Sequence, residues 1–151
     1  MNSKNEVSEK INVLIEKNMD SYKGFRKAAE TTKNIHLRDY LIEEATDRKE
    51  FADELLRNLK TFNPDWDREA QGTATATLHR SWINFKSLLT GNNDKAILEE
   101  CIRGERASVE EYETFLQNNP SAPDDIKSLI KNQMEKIVNS LDNQFRLDEL
   151  S

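Results

Sequence analysis

Glycine and proline are nearly missing from this chain of 151 residues, with four of the first, three of the second and a single cysteine. So few breakers argue against a turn-rich sheet protein and leave long stretches free to continue as helix. One cysteine excludes an internal disulfide. Cys101 falls among apolar neighbours and reads as a small core residue rather than a nucleophile, so a reducing, cytoplasmic setting is expected. No apolar run approaches the roughly 20 residues of a membrane span. The N-terminal "MNSKNEVSEKINVLIEKN" is charged and amphipathic, unlike a signal peptide. Charge of one sign is lacking as well: 22 basic and 28 acidic residues give a net charge of −6. They are interleaved, without the basic stripe that nucleic acid demands. Gly-rich phosphate loops and paired catalytic carboxylates do not occur, and "LHRSW" with its lone His79 is no triad.

What is present is amphipathic periodicity. Hydrophobic residues make up 36% of the chain and charged residues 33%, the balance of one helical domain over residues 1–151 with a core of its own. Four segments repeat apolar residues at helical spacing. Segment A (4–32) carries Ile11, Leu14, Ile15, Tyr22, Phe25 and Ala29. Segment B (35–62) carries Leu37, Tyr40, Leu41, Phe51, Ala52, Leu55, Leu59 and Phe62. Segment C (93–117) follows "TGNND", where Asn93 or Asp94 can cap. Segment D (123–148) is opened by "SAPDD", with Ser121 as a candidate cap and Pro123 in the first turn.

The A–B and C–D links are short and predict two antiparallel hairpins. Between B and C lie about 30 residues with a further amphipathic stretch, "TATATLHRSWINFKSLL", whose Leu78, Trp82, Phe85 and Leu89 share a face. A crossover of that length makes B and C parallel, as in ferritin-like four-helix bundles, with an extra helix on the outside. Trp66 and that helix are candidates for a self-association patch, so a homodimer or another protein partner is the expected kind of interaction.

Charged residues inside the apolar faces are the informative ones. In segment C the apolar residues span an arc of roughly 140°, and Glu105 falls near its centre. An unpaired carboxylate there is costly and requires a partner. In segment B Arg48 lies inside the arc, with Glu44 one turn before it. Segment A turns Asn18 inward, and segment D turns in Gln133 and Gln144. If B and C meet near mid-height, Arg48 neutralises Glu105, and Asn18, Tyr22 and Gln133 complete the hydrogen bonds.

The alternative is a metal site. Di-iron bundles place a glutamate on each of two helices and Glu-x-x-His on each of the other two. Here the mid-helix positions read Asn18, Arg48-x-x-Phe51, Glu105 and Gln133-x-x-Lys136. No register supplies the histidines, since His36 stands at a helix boundary and His79 in the crossover. No cofactor is therefore expected. Were iron or another divalent metal to bind, Glu30, Glu44 and Glu105 would be its ligands. A small-ligand pocket beside Tyr22 and Trp82 is the third reading.

"GFRKAAE" (24–30), "RKEFADEL" (48–55), "LHRSW" (78–82), "DKAILEECIRGERASVEEYETFL" (94–116) and the glutamine-centred "KNQMEKI" occur in an order that resembles a bacterial ferritin-like family, domain of unknown function 2383. The resemblance implies a ferritin-like bundle in a bacterial cytoplasmic protein without an established activity. The chain departs from the family pattern at Ser81, where glycine is usual, and at Leu141, where a histidine usually precedes the aspartate.

Overall fold

The computed structural model describes residues 3–67 and 94–142. Among them the chain forms four helices and no strand: α1 (Lys4–Thr31), α2 (Ile35–Phe62), α3 (Asp94–Asn118) and α4 (Asp124–Asp142). Each boundary has a local cause. Ser3 opens α1 by accepting from the Glu6 N–H at 3.2 Å, with Glu6 itself in the first turn, where an acid favours the helix dipole. Asn34 opens α2 in the same way, its Oδ1 accepting from the Leu37 N–H at 3.0 Å. In the turn between them the Thr32 hydroxyl donates to Asp94 Oδ1 at 2.5 Å, tying that turn to the first residue of α3. At its far end α2 is pinned to α1, for the Asn63 side chain donates to Asn5 Oδ1 and Ser8 Oγ, both at 2.9 Å. The first helical bonds of α4 are accepted by the Pro123 carbonyl at 3.1 and 3.0 Å. Proline thus precedes this helix instead of sitting in its first turn, and Ser121 lies outside it as a turn residue, not as the cap.

The same bonds fix the helix directions. Asn63 meets Asn5 while Arg48 meets Asn18, so α1 and α2 are antiparallel. Thr32 meets Asp94 while Lys17 meets Glu111 at 2.7 Å, so α1 and α3 are antiparallel. Glu44 meets Ser140 while Glu54 meets Gln133, so α2 and α4 are antiparallel too. It follows that α2 and α3 run the same way. They are not side by side, however: the packed pairs are α1–α2, α3–α4, α1–α3 and α2–α4, which sets α2 and α3 diagonally across the bundle. The connecting stretch with Leu78, His79, Trp82, Phe85 and Leu89 lies outside the described residues, as does Gln144.

The apolar faces read from the sequence are buried, and the core they make is divided in two. One cluster runs from Val7, Ile11, Leu14 and Ile15 to Phe51, Leu55, Tyr112, Phe115, Ile126 and Ile130. The other joins Phe25, Ala28, Leu37, Leu41, Ile97, Leu98 and Cys101 from α1, α2 and α3. Polar side chains fill the level between them. Trp66 is half-buried against the first cluster, so it offers less free apolar surface than its place after "NPD" suggests. Among the described residues Ile35, Ile42 and Val138 are the large hydrophobic side chains that stand exposed. No described helix is long and apolar enough to cross a membrane.

The cap at Asn34 gives a direct check on this construction. Asn34→Ala removes the acceptor for the Leu37 N–H and is expected to lower stability by about 1 kcal/mol, with Asn34→Asp close to wild type. Urea melts of the three proteins read the difference.

Candidate functional site: a buried arginine–glutamate network

Asn18, Arg48, Glu105 and Gln133 each stand close to the midpoint of their helix, so one polar residue from every helix arrives at the same level. Arg48 is 1% exposed and Glu105 is fully buried. Two helices set diagonally leave a gap too wide for short side chains, and here it is closed by the long guanidinium arm. Arg48 Nη2 donates to Glu105 Oε1 at 2.6 Å, and Nη1 donates to Asn18 Oδ1 at 3.0 Å. From Asn18 the bonds continue in one direction. Asn18 Nδ2 donates to the Leu14 carbonyl and to Tyr112 Oη, both at 2.8 Å. The Tyr112 hydroxyl donates to Gln133 Oε1 at 2.7 Å. Gln133 Nε2 then donates to the Phe51 carbonyl at 3.2 Å and to Glu54 Oε1 at 3.3 Å. One chain of donors thereby links all four helices.

Glu44, one turn before Arg48, borders this network without sharing the arginine. It accepts from the Ser140 hydroxyl of α4. Burial first, and then the negative charge of Glu105, push its carboxyl up to about 8 from an ordinary 4.5. Burial opposes the charge on Arg48, yet the adjacent Glu105 outweighs it and leaves the guanidinium held above its usual value. Burial also pushes the Tyr112 hydroxyl up to about 12, so it stays a neutral donor at ordinary pH. The Cys101 thiol, fully buried, is driven well above its ordinary range by burial and then by Glu105, which makes it unreactive.

The structure therefore brings together Asn18, Glu44, Arg48, Glu105 and Gln133. Tyr22 is a correction. Its hydroxyl points away from the network and accepts from Arg26 Nη1 at 2.8 Å, and its ring lies under Arg26 and Lys49 at 5.6 and 5.8 Å. The half-buried ring packs on the second apolar cluster, and its long side chain carries the hydroxyl past the core edge. Tyr112 takes the role assigned to it. The signal was present in the sequence, because a tyrosine two turns after Glu105 on the same apolar stripe must find a partner for its hydroxyl. Glu30 is exposed and stands apart from Glu44 and Glu105, and His36 is exposed at the start of α2. Among the described residues no group of three or more His, Cys, Asp or Glu is arranged to hold a metal ion.

A family model described as domain of unknown function (DUF2383) matches residues 6–118. The match spans α1 to α3 and includes Asn18, Glu44, Arg48, Glu105 and Tyr112, while Gln133 and Ser140 fall beyond it. No curated protein and no solved structure matches the chain.

Removing one member of the ion pair strands the other in the core, so Arg48→Ala and Glu105→Ala are each expected to cost about 3–5 kcal/mol. Arg48→Met combined with Glu105→Leu should recover much of that loss. It will not recover all of it, since Asn18 Oδ1 is left without its donor at a further cost of about 1–3 kcal/mol. Denaturant melts of the two single variants and the double variant read these differences. A wild-type melt for Arg48→Ala would contradict the pairing.

Proposed function

The chain belongs to the family of the domain of unknown function DUF2383, and from that premise we propose that it is a non-enzymatic, cytoplasmic bacterial bundle of the ferritin-like type. In this reading it serves as an interaction or stress-related protein, and an arginine–glutamate network stands where ferritin-like proteins hold two metal ions.

The observation that carries the reading is the Arg48 guanidinium, placed between the helices at mid-height and 2.6 Å from Glu105. A two-cation centre needs several carboxylates and imidazoles converging on one level. Glu44 and Glu105 bring two carboxylates to this level, and a fixed positive charge already neutralises one of them. Glu30 and His36 face solvent. The residues present do not suit a pair of cations. With the interior committed to holding the bundle together, function falls to the outer faces. Ile35, Ile42 and Val138 are exposed on α2 and α4, which suits a protein partner or a second copy of the chain.

Elemental analysis of protein purified without chelators, followed by iron titration, tests the reading. The expected result is metal well below one equivalent per chain and no saturable iron uptake. Stoichiometric iron or manganese would overturn it in favour of a metal-binding or oxidoreductase role. Light scattering over a range of concentrations tests self-association, with a mass that rises toward twice the 17.5 kDa of the chain expected for a homodimer.

A further inference from the structure

Two buried atoms of the central ion pair have no hydrogen-bond partner among the described residues, and they are a donor and an acceptor. Arg48 spends Nη1 on Asn18 and Nη2 on Glu105, which leaves its Nε–H over. Glu105 accepts through Oε1, which leaves Oε2 over. Both atoms belong to groups already fixed by the 2.6 Å contact between Nη2 and Oε1. Nε shares the guanidinium carbon with Nη2, and Oε2 shares the carboxyl carbon with Oε1. Each therefore stands one covalent group behind that contact, yet the two do not bond each other. A charged donor and a charged acceptor left unmatched in a core are costly, so each calls for a partner.

The surrounding side chains are small. On α3 Gly104 precedes Glu105 and Ser108 follows it by a turn, and both are buried. Ser21 lies one turn after Asn18 on α1, and Ala45 one turn before Arg48 on α2, again both buried. The Ser21 and Ser108 hydroxyls donate back to the Lys17 and Gly104 carbonyls at 3.0 and 3.1 Å. Their oxygens keep lone pairs and can still accept at this level. What fits between the two unmatched atoms must accept from one and donate to the other. An anion would meet the Glu105 carboxylate. A cation would meet a guanidinium N–H, which has no lone pair to coordinate it. A small neutral molecule with both functions is required, and water is that molecule.

We propose that one buried water molecule is bound at the centre of the bundle, accepting from Arg48 Nε–H and donating to Glu105 Oε2. The inference goes beyond the functional reading above and holds whatever the outer faces bind. The ion pair is then bridged twice, once directly and once through the water. Arg48 gains a third acceptor and Glu105 a second donor, so both charges are solvated from within the fold.

The test is water-to-protein magnetisation transfer onto the Arg48 Nε–H of ¹⁵N-labelled, chelator-treated protein, beside oxygen-17 relaxation dispersion of the solvent. The expected result is a water cross-peak at Arg48 Nε–H with opposite signs in NOE and ROE transfer, which separates a bound water from proton exchange. Dispersion should count one long-lived water more in wild type than in Arg48→Met/Glu105→Leu, which removes both unmatched atoms. A scalar coupling across a direct hydrogen bond from Arg48 Nε to the Glu105 carboxyl carbon would overturn the proposal. So would an Arg48 Nε–H without the water cross-peak, or a dispersion amplitude unchanged in the double variant. If the double variant does not fold, the wild-type Arg48 Nε–H spectrum decides the matter alone.

Discussion

The ion pair between Arg48 and Glu105 is the contact on which the rest of the bundle depends. It joins two helices set diagonally across the bundle, and it does so at the level where both apolar clusters end. Burying two charges is expensive, and attraction between them offsets the cost when the geometry is close and further hydrogen bonds satisfy the remaining polar atoms. The distance to Glu105 and the second bond to Asn18 meet the first requirement. The Asn18–Tyr112–Gln133 chain extends the compensation to α4. A wholly apolar layer would hold the helices at least as strongly. It would specify their relative heights less well, because apolar side chains pack acceptably in several registers. Arg48 Nε and Glu105 Oε2 have no hydrogen-bond partner among the described residues, and sliding any one helix by a turn would strand further buried donors or acceptors.

The two core clusters differ in what encloses them. The first draws on all four helices. The second is built from α1, α2 and α3, and α4 reaches this end through Ser140 on Glu44. A hydrogen bond to a buried carboxyl is a different kind of attachment from a packed apolar side chain, since its strength follows the protonation of the acceptor. At the opposite end the packing of all four helices is joined by the Asn63 side chain, which donates to Asn5 and Ser8.

Much of this was legible in the sequence for a physical reason. A helix projects residues at a fixed angle, so an Arg48 or a Glu105 inside an apolar stripe declares its direction before any coordinates exist. The near-absence of glycine and proline left α1 and α2 free to run long, while the caps that start them, Ser3 and Asn34, were identified from the structure. Direction alone does not reveal distance. Tyr22 shares the inward side of α1, yet its hydroxyl lies far enough along the side chain to leave the core, and Arg26 captures it there. Projection likewise cannot tell a neighbouring helix from one diagonally opposite, which is why the adjacency of the second and third long segments had to wait for the structure. Tyr112 was hidden by its ring, which fits an apolar stripe as well as phenylalanine does. The cap of α4 illustrates a different limit: Ser121 and Pro123 are both good residues for a helix start, and only the hydrogen bonds of the Pro123 carbonyl tell which position begins it.

The donor chain through the centre has a sense of travel. It starts at a guanidinium, which can only donate, and it ends at the Phe51 carbonyl and the Glu54 carboxylate. A run of amides and hydroxyls between two waters would exist in two mirror arrangements, with every amide flipped and every proton reversed, and would pass between them. Fixed ends forbid the second arrangement. Asn18 and Gln133 each have one permitted amide orientation, and the Tyr112 proton has one permitted side. The middle of the bundle is thus free of orientational disorder, a rectified hydrogen-bond wire in which reversing any one link would set donor against donor somewhere along its length.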